Sequence, residues 1–387
     1  MVKETTAGHV DRGDRAARMS KVKRLVVKIG SRIVAGRANQ LDRRVLQRLA
    51  DDVVALKERG LEVALVSSGA VAAGMGRLGL QSRPTAIAEL QAVAAVGQNL
   101  LMSVYESLFK RHEVAVGQVL LTAEDILEDR QRYLNLRNTF RQLFAYGAVP
   151  VINENDSVAV AELKRTFGEN DALAAYVANL IHAELLVIFS DIDGLYRSYG
   201  PDGPEGDIIS IVDDGTDLDK MVTSHGSSHV GRGGMKTKIK AARLMMACGE
   251  MTVIAHGHHH RLRDILEGQA LGTLFEPARK RLGSRKRWIG FASPCKGSLT
   301  VDGGAERAIT KQGRSLLPAG VLDREGCFAP GDVVRVENTK STEVARGLTR
   351  YASDEIDRIR GKSSPDVERV LGRPALEVIH RDDLVLI

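Results

Sequence analysis

Between Arg24 and Phe275, short apolar runs alternate with longer stretches in which apolar residues recur every three to four positions. The runs Arg24–Ile29, Glu62–Val66, Val114–Leu120, Val149–Ile152, Leu185–Phe189 and Met251–Ile254 are short and rich in Val, Ile and Leu. That pattern predicts strands buried on both faces. The stretch Asp42–Arg59 places Val45, Leu49, Val53 and Leu56 on one stripe and predicts a helix. Helices are also predicted from Gly69 onward, over the Ala-rich Thr85–Lys110, and over Arg130–Tyr146, Asp171–His182 and Gly234–Ala247. Strands separated by helices require right-handed crossovers, so the expected fold is α/β, a mostly parallel sheet sandwiched by helices. Functional residues are expected where strands end and helices begin.

The pattern changes after Phe275. Arg279, Lys280, Arg281, Arg285, Lys286 and Arg287 form a charged connector. Short strands and turns follow, at Ser298–Val301, Pro330-Gly331-Asp332 and Val333–Val336. The expected organisation is a mobile tail over 1–22, an α/β domain over 23–278, a basic linker over 279–295 and a small β-rich domain over 296–387. A chain of 387 residues is long enough for two cores.

Charge sharpens that division. The net charge is +6, from 55 basic and 49 acidic side chains. From Phe291 to the end there are 15 of each sign, so the excess lies in the first part. A basic ligand-handling part joined to a neutral module is the simplest account. Three widely spaced cysteines, Cys248, Cys295 and Cys327, predict neither a metal framework nor disulfides, which fits a reducing cytoplasm. Apolar runs such as Leu185–Phe189 are too short to cross a bilayer, so no membrane association is expected.

Six segments carry candidate chemistry. In Val26-Val27-Lys28-Ile29-Gly30-Ser31 a lysine lies between an apolar strand and a glycine, where a ligand can approach closely. Ser67-Ser68-Gly69-Ala70 joins a strand to a helix whose first amides suit a phosphate or carboxylate. Asn153-Glu154-Asn155-Asp156 follows a strand with four polar residues. Asp156 suits an ammonium group and the asparagines suit a carboxylate. Asn170-Asp171 opens a helix, Ser190-Asp191 ends a strand, and Gly231-Arg232-Gly233-Gly234-Met235-Lys236-Thr237-Lys238 opens a helix as a glycine–lysine phosphate cradle. The last lacks P-loop spacing. Each alone also reads as a solvated lysine, a helix cap or a polar turn. His256, His258, His259 and His260 lack an acid at ligand spacing and read as a solvated loop, so no protein-held metal is expected.

Taken in order, the six segments resemble the amino acid kinase family. The tail, with Leu317-Pro318-Ala319-Gly320, Gly331-Asp332-Val333-Val334, Ala345-Arg346-Gly347 and Tyr351, resembles a PUA domain. The resemblance implies ATP-dependent phosphorylation of the L-glutamate side-chain carboxylate, yielding L-glutamyl 5-phosphate and ADP with Mg2+ as the ion. It further implies a place at the first step of proline biosynthesis, proline as inhibitor, hand-over to glutamyl phosphate reductase, and a homo-oligomer.

By the same resemblance, Lys28 and Lys238 contact the transferring phosphate and Asp171 positions them. Ser68, Asp156 and Asn170 hold glutamate. Lys28, Ser190, Asp191, Arg232, Gly233, Gly234, Met235, Lys236, Thr237 and Lys238 handle ATP. The chain departs from the family pattern in having serine at 67 and 190, Arg232 in place of threonine and Lys236 in place of serine. Two alternatives stay open: a kinase for another acid, and an RNA-binding or RNA-modifying protein acting through the PUA-like tail. Its charge balance disfavours the second.

Overall fold

The computed structural model describes residues 12–36, 40–122, 125–126, 130–158, 170–200, 203–216, 218, 232–278, 286, 289–290 and 295–387. The expectations about residues 1–11, Phe167-Gly168-Glu169, Gly231 and most of the basic linker lie outside these residues. The chain forms two compact units, Met1–Thr122 with Arg137–Arg281, and Ala123–Leu136 with Leu282–Ile387. The second unit therefore draws on an earlier segment as well as on the C-terminal part.

In the first unit the strands are β1 (Arg24–Ile29), β2 (Glu62–Ser67), β3 (Val116–Leu121), β4 (Val149–Glu154), β5 (Leu185–Ser190), β6 (Tyr196–Gly200), β7 (Gly203–Ile208), β8 (Ile211–Val212), β9 (Met251–His256) and β10 (Thr273–Phe275). Its helices include α1 (Arg12–Met19), α2 (Arg43–Glu58), α3 (Ala70–Leu78) and α4 (Ile87–Phe109). Helix α5 (Arg130–Ala145) runs across the division, and α6 (Asn170–Leu180), α7 (Arg232–Cys248) and α8 (Leu262–Leu266) follow. Eight strands form one sheet in the order β3-β4-β2-β1-β5-β9-β10-β8. Neighbours from β3 through β9 pair in parallel. Only β10, lying against β9, runs antiparallel to its neighbour there.

The apolar runs become central strands because both faces are covered. Leu25, Val27 and Ile29 enter one core with Leu46, Leu49 and Val53 of α2 and Leu101, Tyr105 and Phe109 of α4. Asp42 caps α2 by accepting from the amides of Arg44 and Val45. Because all the central strands point the same way, their carboxyl ends line one edge.

One expectation is corrected here. Residues 12–19, placed in a mobile tail, form helix α1. Met19 joins the core, and the buried Arg15 donates to the carbonyl of Leu271. Ile87–His112 is, by length and composition alone, long and apolar enough to cross a bilayer. Its apolar residues are periodic rather than continuous, which hid that length. One stripe, Val93, Ala94, Gly97, Leu101, Tyr105, Leu108 and Phe109, is buried in the unit.

The second unit has its own core around Leu299, Val301, Val334, Val336, Tyr351, Ile356 and Ile379. Its five-stranded sheet orders β11 (Cys295–Val301), β12 (Val321–Gly326), β13 (Val333–Glu337), β14 (Glu343–Leu348) and β15 (Leu384–Leu386) as β12-β11-β13-β14-β15. That is the separate β-rich domain that the turn-rich tail predicts.

Candidate active site

Lys28 lies near the carboxyl end of β1 and is buried. Asp171, in the first turn of α6, is fully buried and faces it. Lys28 Nζ lies 2.5 Å from Asp171 Oδ1, and Lys238 Nζ of α7 lies 3.1 Å from Oδ2. Thr237 Oγ1 donates to the same Oδ2 at 3.0 Å. Burial pushes the Asp171 carboxyl upward, but the charges and hydrogen bonds of Lys28 and Lys238 outweigh it and hold the group below its ordinary value. One anion between two cations leaves an excess positive charge at the strand ends, which suits a phosphoryl group.

Glycine backbone lies beside both lysines. A methyl group built on Gly30 would make ordinary van der Waals contact with Lys28 Nζ at 3.8 Å, and one on Gly234 with Lys238 Nζ at 3.7 Å. Two buried ammonium groups beside glycine backbone fit the phosphates of ATP in charge.

A second polar cluster adjoins the first through Asn170, the chain neighbour of Asp171. Asn170 Nδ2 donates to Ser68 Oγ at 3.0 Å and to Asn153 Oδ1 at 2.9 Å. Asn153 Nδ2 donates to Gln98 Oε1 at 2.8 Å. Gln98 Nε2 is buried and lacks a hydrogen-bond partner among the described residues. An orphaned buried donor is costly unless a ligand oxygen meets it. Below this cluster the buried Tyr105 hydroxyl donates to Ser67 Oγ at 2.8 Å. Asp156 is half-buried in the turn after β4.

The nucleotide candidates are spread more widely. Ser190 is buried at the end of β5 and donates to Asp191 Oδ1 at 3.0 Å, while Arg32 Nη1 donates to Asp191 Oδ2 at 2.6 Å. Burial raises the Asp191 carboxyl, but the Arg32 and Ser190 hydrogen bonds outweigh that and keep it low. Met235 is buried and Lys236 exposed. Arg232 and Gly233 open α7, but their side-chain positions lie outside the described residues.

The structure thus joins Lys28, Asp171, Thr237 and Lys238 in one group and Ser68, Asn153 and Asn170 in another. Gln98 belongs with the second group and Arg32 with Ser190 and Asp191, and neither is among the residues that the sequence predicts. Gln98 sits inside an Ala-rich helix, where a glutamine reads as surface, and Arg32 follows Gly30 without any spacing signal.

Comparison with known proteins decides the family. Residues 23–255 match the model of the amino acid kinase family, and residues 297–371 match that of the PUA domain. The chain belongs to the amino acid kinase family.

Within the family, it is 46% identical to a glutamate 5-kinase of Citrifermentans bemidjiense over 95% of this chain and 99% of that one. A glutamate 5-kinase of Geobacter sp. strain M21 is 46% identical with the same coverage. One of Nitrosococcus oceani is 45% identical over 97% of this chain and 100% of its own. Among solved structures, a carbamate kinase from Giardia lamblia bound to AMP-PNP covers 66% of this chain and 99% of its own, at 15% identity and a TM-score of 0.45.

Proposed function

We propose that the protein transfers the γ-phosphoryl group of ATP to the side-chain carboxylate of L-glutamate, releasing ADP and L-glutamyl 5-phosphate. The observation that carries this reading is the Lys28–Asp171–Lys238 group standing beside the Ser68–Asn153–Asn170 network. The glutamate 5-kinase relatives support the choice of substrate.

A glutamate side chain has a pKa of about 4.3 and is already an anion at neutral pH. It needs no general base. One carboxylate oxygen attacks the γ-phosphorus, and the bond to the β–γ bridging oxygen breaks with its electron pair leaving on ADP. Lys28 and Lys238, from β1 and α7, meet the charge spread over the transferring group from two sides. Asp171 stays ionised and aims both ammonium groups. The Ser68 hydroxyl and the orphaned amide of Gln98 donate to the substrate oxygens, Asn170 belongs to the glutamate site as the group whose two amide hydrogens fix Ser68 and Asn153, and Asp156 takes the α-ammonium group. Ser190, Asp191 and the segment Arg232–Lys238 hold the nucleotide. Magnesium travels with the triphosphate and neutralises its oxygens; Asp171, committed to two lysines, is not its ligand.

In this reading the catalytic domain is 23–278, joined by the linker 279–295 to a PUA module at 296–387, and the enzyme is cytoplasmic. The acyl phosphate product is labile in water, which favours prompt hand-over to glutamyl phosphate reductase. Proline, resembling a cyclised glutamate without the reacting carboxylate, competes near Ser68 and Asp156, and a homo-oligomer transmits its effect. The test is ADP release with glutamate, with and without hydroxylamine to trap the acyl phosphate. Trapped hydroxamate with glutamate, and none with aspartate, acetylglutamate or carbamate, is expected. ADP release without hydroxamate, or equal rates across the acids, would sink the assignment.

A further inference from the structure

The four histidines at the end of β9 and in the loop that follows acquire a partner that the sequence does not place near them. Strands β5 and β9 are neighbours, with Ser190 opposite His256. The turn after β5 therefore brings Asp193 to the histidine loop. Asp193 Oδ1 lies 3.2 Å from His259 Nδ1. The rings of His256 and His259 stack with centroids 3.7 Å apart and planes 16° from parallel. One ligating atom from each of Asp193, His256 and His259 falls within 4.8 Å of the other two.

The surrounding structure holds this group in place. Tyr196 makes a long contact to Asp193 Oδ2 at 3.4 Å, while Oδ1 faces the His259 ring. The histidine loop is tied at its base by the Gly257 amide to the Ser190 carbonyl, 2.9 Å, and by the His260 amide to the His256 carbonyl, 2.9 Å. Arg48 of α2 donates to the carbonyls of His258 and Gly257 at 2.9 Å each. Two imidazoles and a carboxylate on a braced loop are more than a solvated polar stretch needs.

We propose that Asp193, His256 and His259 form a binding site for a divalent first-row transition metal of the zinc class. Two imidazole nitrogens and one carboxylate oxygen are a donor set that suits zinc, cobalt or nickel, whereas magnesium demands a nearly all-oxygen shell. Three protein ligands leave one tetrahedral position for water.

Seating the ion changes two details. The His258 amide donates to His256 Nδ1 at 3.2 Å, a weak contact that a cation displaces if it takes that nitrogen. The stacked rings fan apart, as two imidazoles directed at one tetrahedral ion require. His259 is exposed, so its ring swings without disturbing the core.

The experiment is calorimetric titration of the full-length protein, freed of nucleotide and magnesium, with zinc chloride alone. One zinc ion per chain is expected. His259→Gln weakens binding at least tenfold, and the His256→Asn, His259→Gln double variant abolishes it. Asp193→Asn weakens it, and His112→Asn, a change at a distant surface histidine, does not. Excess magnesium chloride leaves the zinc isotherm unchanged. Because His259 is exposed, its single variant keeps the test valid if the double variant folds poorly. Cobalt chloride gives the parent a visible absorption band that the His259 variant lacks. No zinc uptake by the parent, equal affinity in His259→Gln, or full competition by magnesium would overturn the proposal.

Discussion

Strand β1 carries a cation near each end, and the two are built in opposite ways. Arg24 begins the strand. It pairs with Glu62, its register partner on β2, and lies over the Phe144 ring at 5.2 Å. Both members of that pair keep a third or so of their side chains in water. Lys28 stands four residues on, at the carboxyl edge. Its partner Asp171 comes from a distant helix and has no exposure, and a second lysine shares it. The comparison teaches that pairing by itself says little about function. Arg24 exchanges water for a neighbour at small net gain. Lys28, Asp171 and Lys238 have left water together, so each depends on the others.

The largest effect that tests this contrast is expected from Asp171→Asn. Removing the shared anion leaves two buried cations facing each other and costs about 3–5 kcal/mol of stability. A chemical denaturation midpoint close to that of the parent would refute the mutual dependence. The change also alters the acid limb. The folded carboxyl of Asp171 lies below its unfolded value of about 3.9. Its contribution is therefore complete above that unfolded value and is lost as pH falls through the depressed folded one. Urea midpoints measured from neutral to acid pH should fall less steeply in Asp171→Asn than in the parent.

Next comes Lys238→Ala. Losing one cation at the transferring group should lower kcat roughly a hundredfold, or about 3 kcal/mol, with little change in the glutamate KM. Near-normal turnover would remove Lys238 from the reaction. Asp156→Asn has a smaller, one-sided effect. Glutamate binding weakens by about 1.5–3 kcal/mol, the worth of a charged hydrogen bond, while ATP binding holds steady in separate titrations. Equal losses for both ligands would mean a general defect. The smallest effect belongs to Arg24→Ala, within about 1 kcal/mol of parent stability and with unchanged turnover. A large loss there would erase the distinction between the two ends of β1.

Much of this arrangement was legible in the sequence, because a parallel sheet writes its central strands as apolar runs and puts their useful residues just beyond. Lys28, Ser68, Asn153 and Ser190 all follow that rule at the ends of β1, β2, β4 and β5. The hairpin β6–β7 and the antiparallel β10 were not legible. Tyr196–Gly200 and Gly203–Ile208 are polar and glycine-rich, and Thr273–Phe275 is too short to show a period. Helix α1 was hidden because its charged residues read as a solvated tail, while Arg15 is in fact buried against the Leu271 carbonyl. The histidine group escaped for a different reason: Asp193 is separated from it by the β6–β7 hairpin, β8, α7 and most of β9, and reaches it through the β5–β9 pairing.

The join between α3 and α4 has no slack. A methyl group on Gly97 would sit 1.7 Å from the Ala70 carbonyl oxygen, and one on Gly74 would sit 1.9 Å from that of Val93. The helices touch backbone to backbone, and Gln98, which closes the polar chain to Asn153, is the very next residue after Gly97. The contact works like the seat of a machine tool: it fixes how far Gln98 projects without meeting any ligand. A single added carbon at position 97 forces the helices apart and carries Gln98 off its mark. Misplacement by about 1 Å is enough to cost two orders of magnitude in a positioned reaction. Gly97→Ala should therefore slow turnover while leaving residue 98 itself unaltered, so that the setting of the tool is lost before any of its cutting edges.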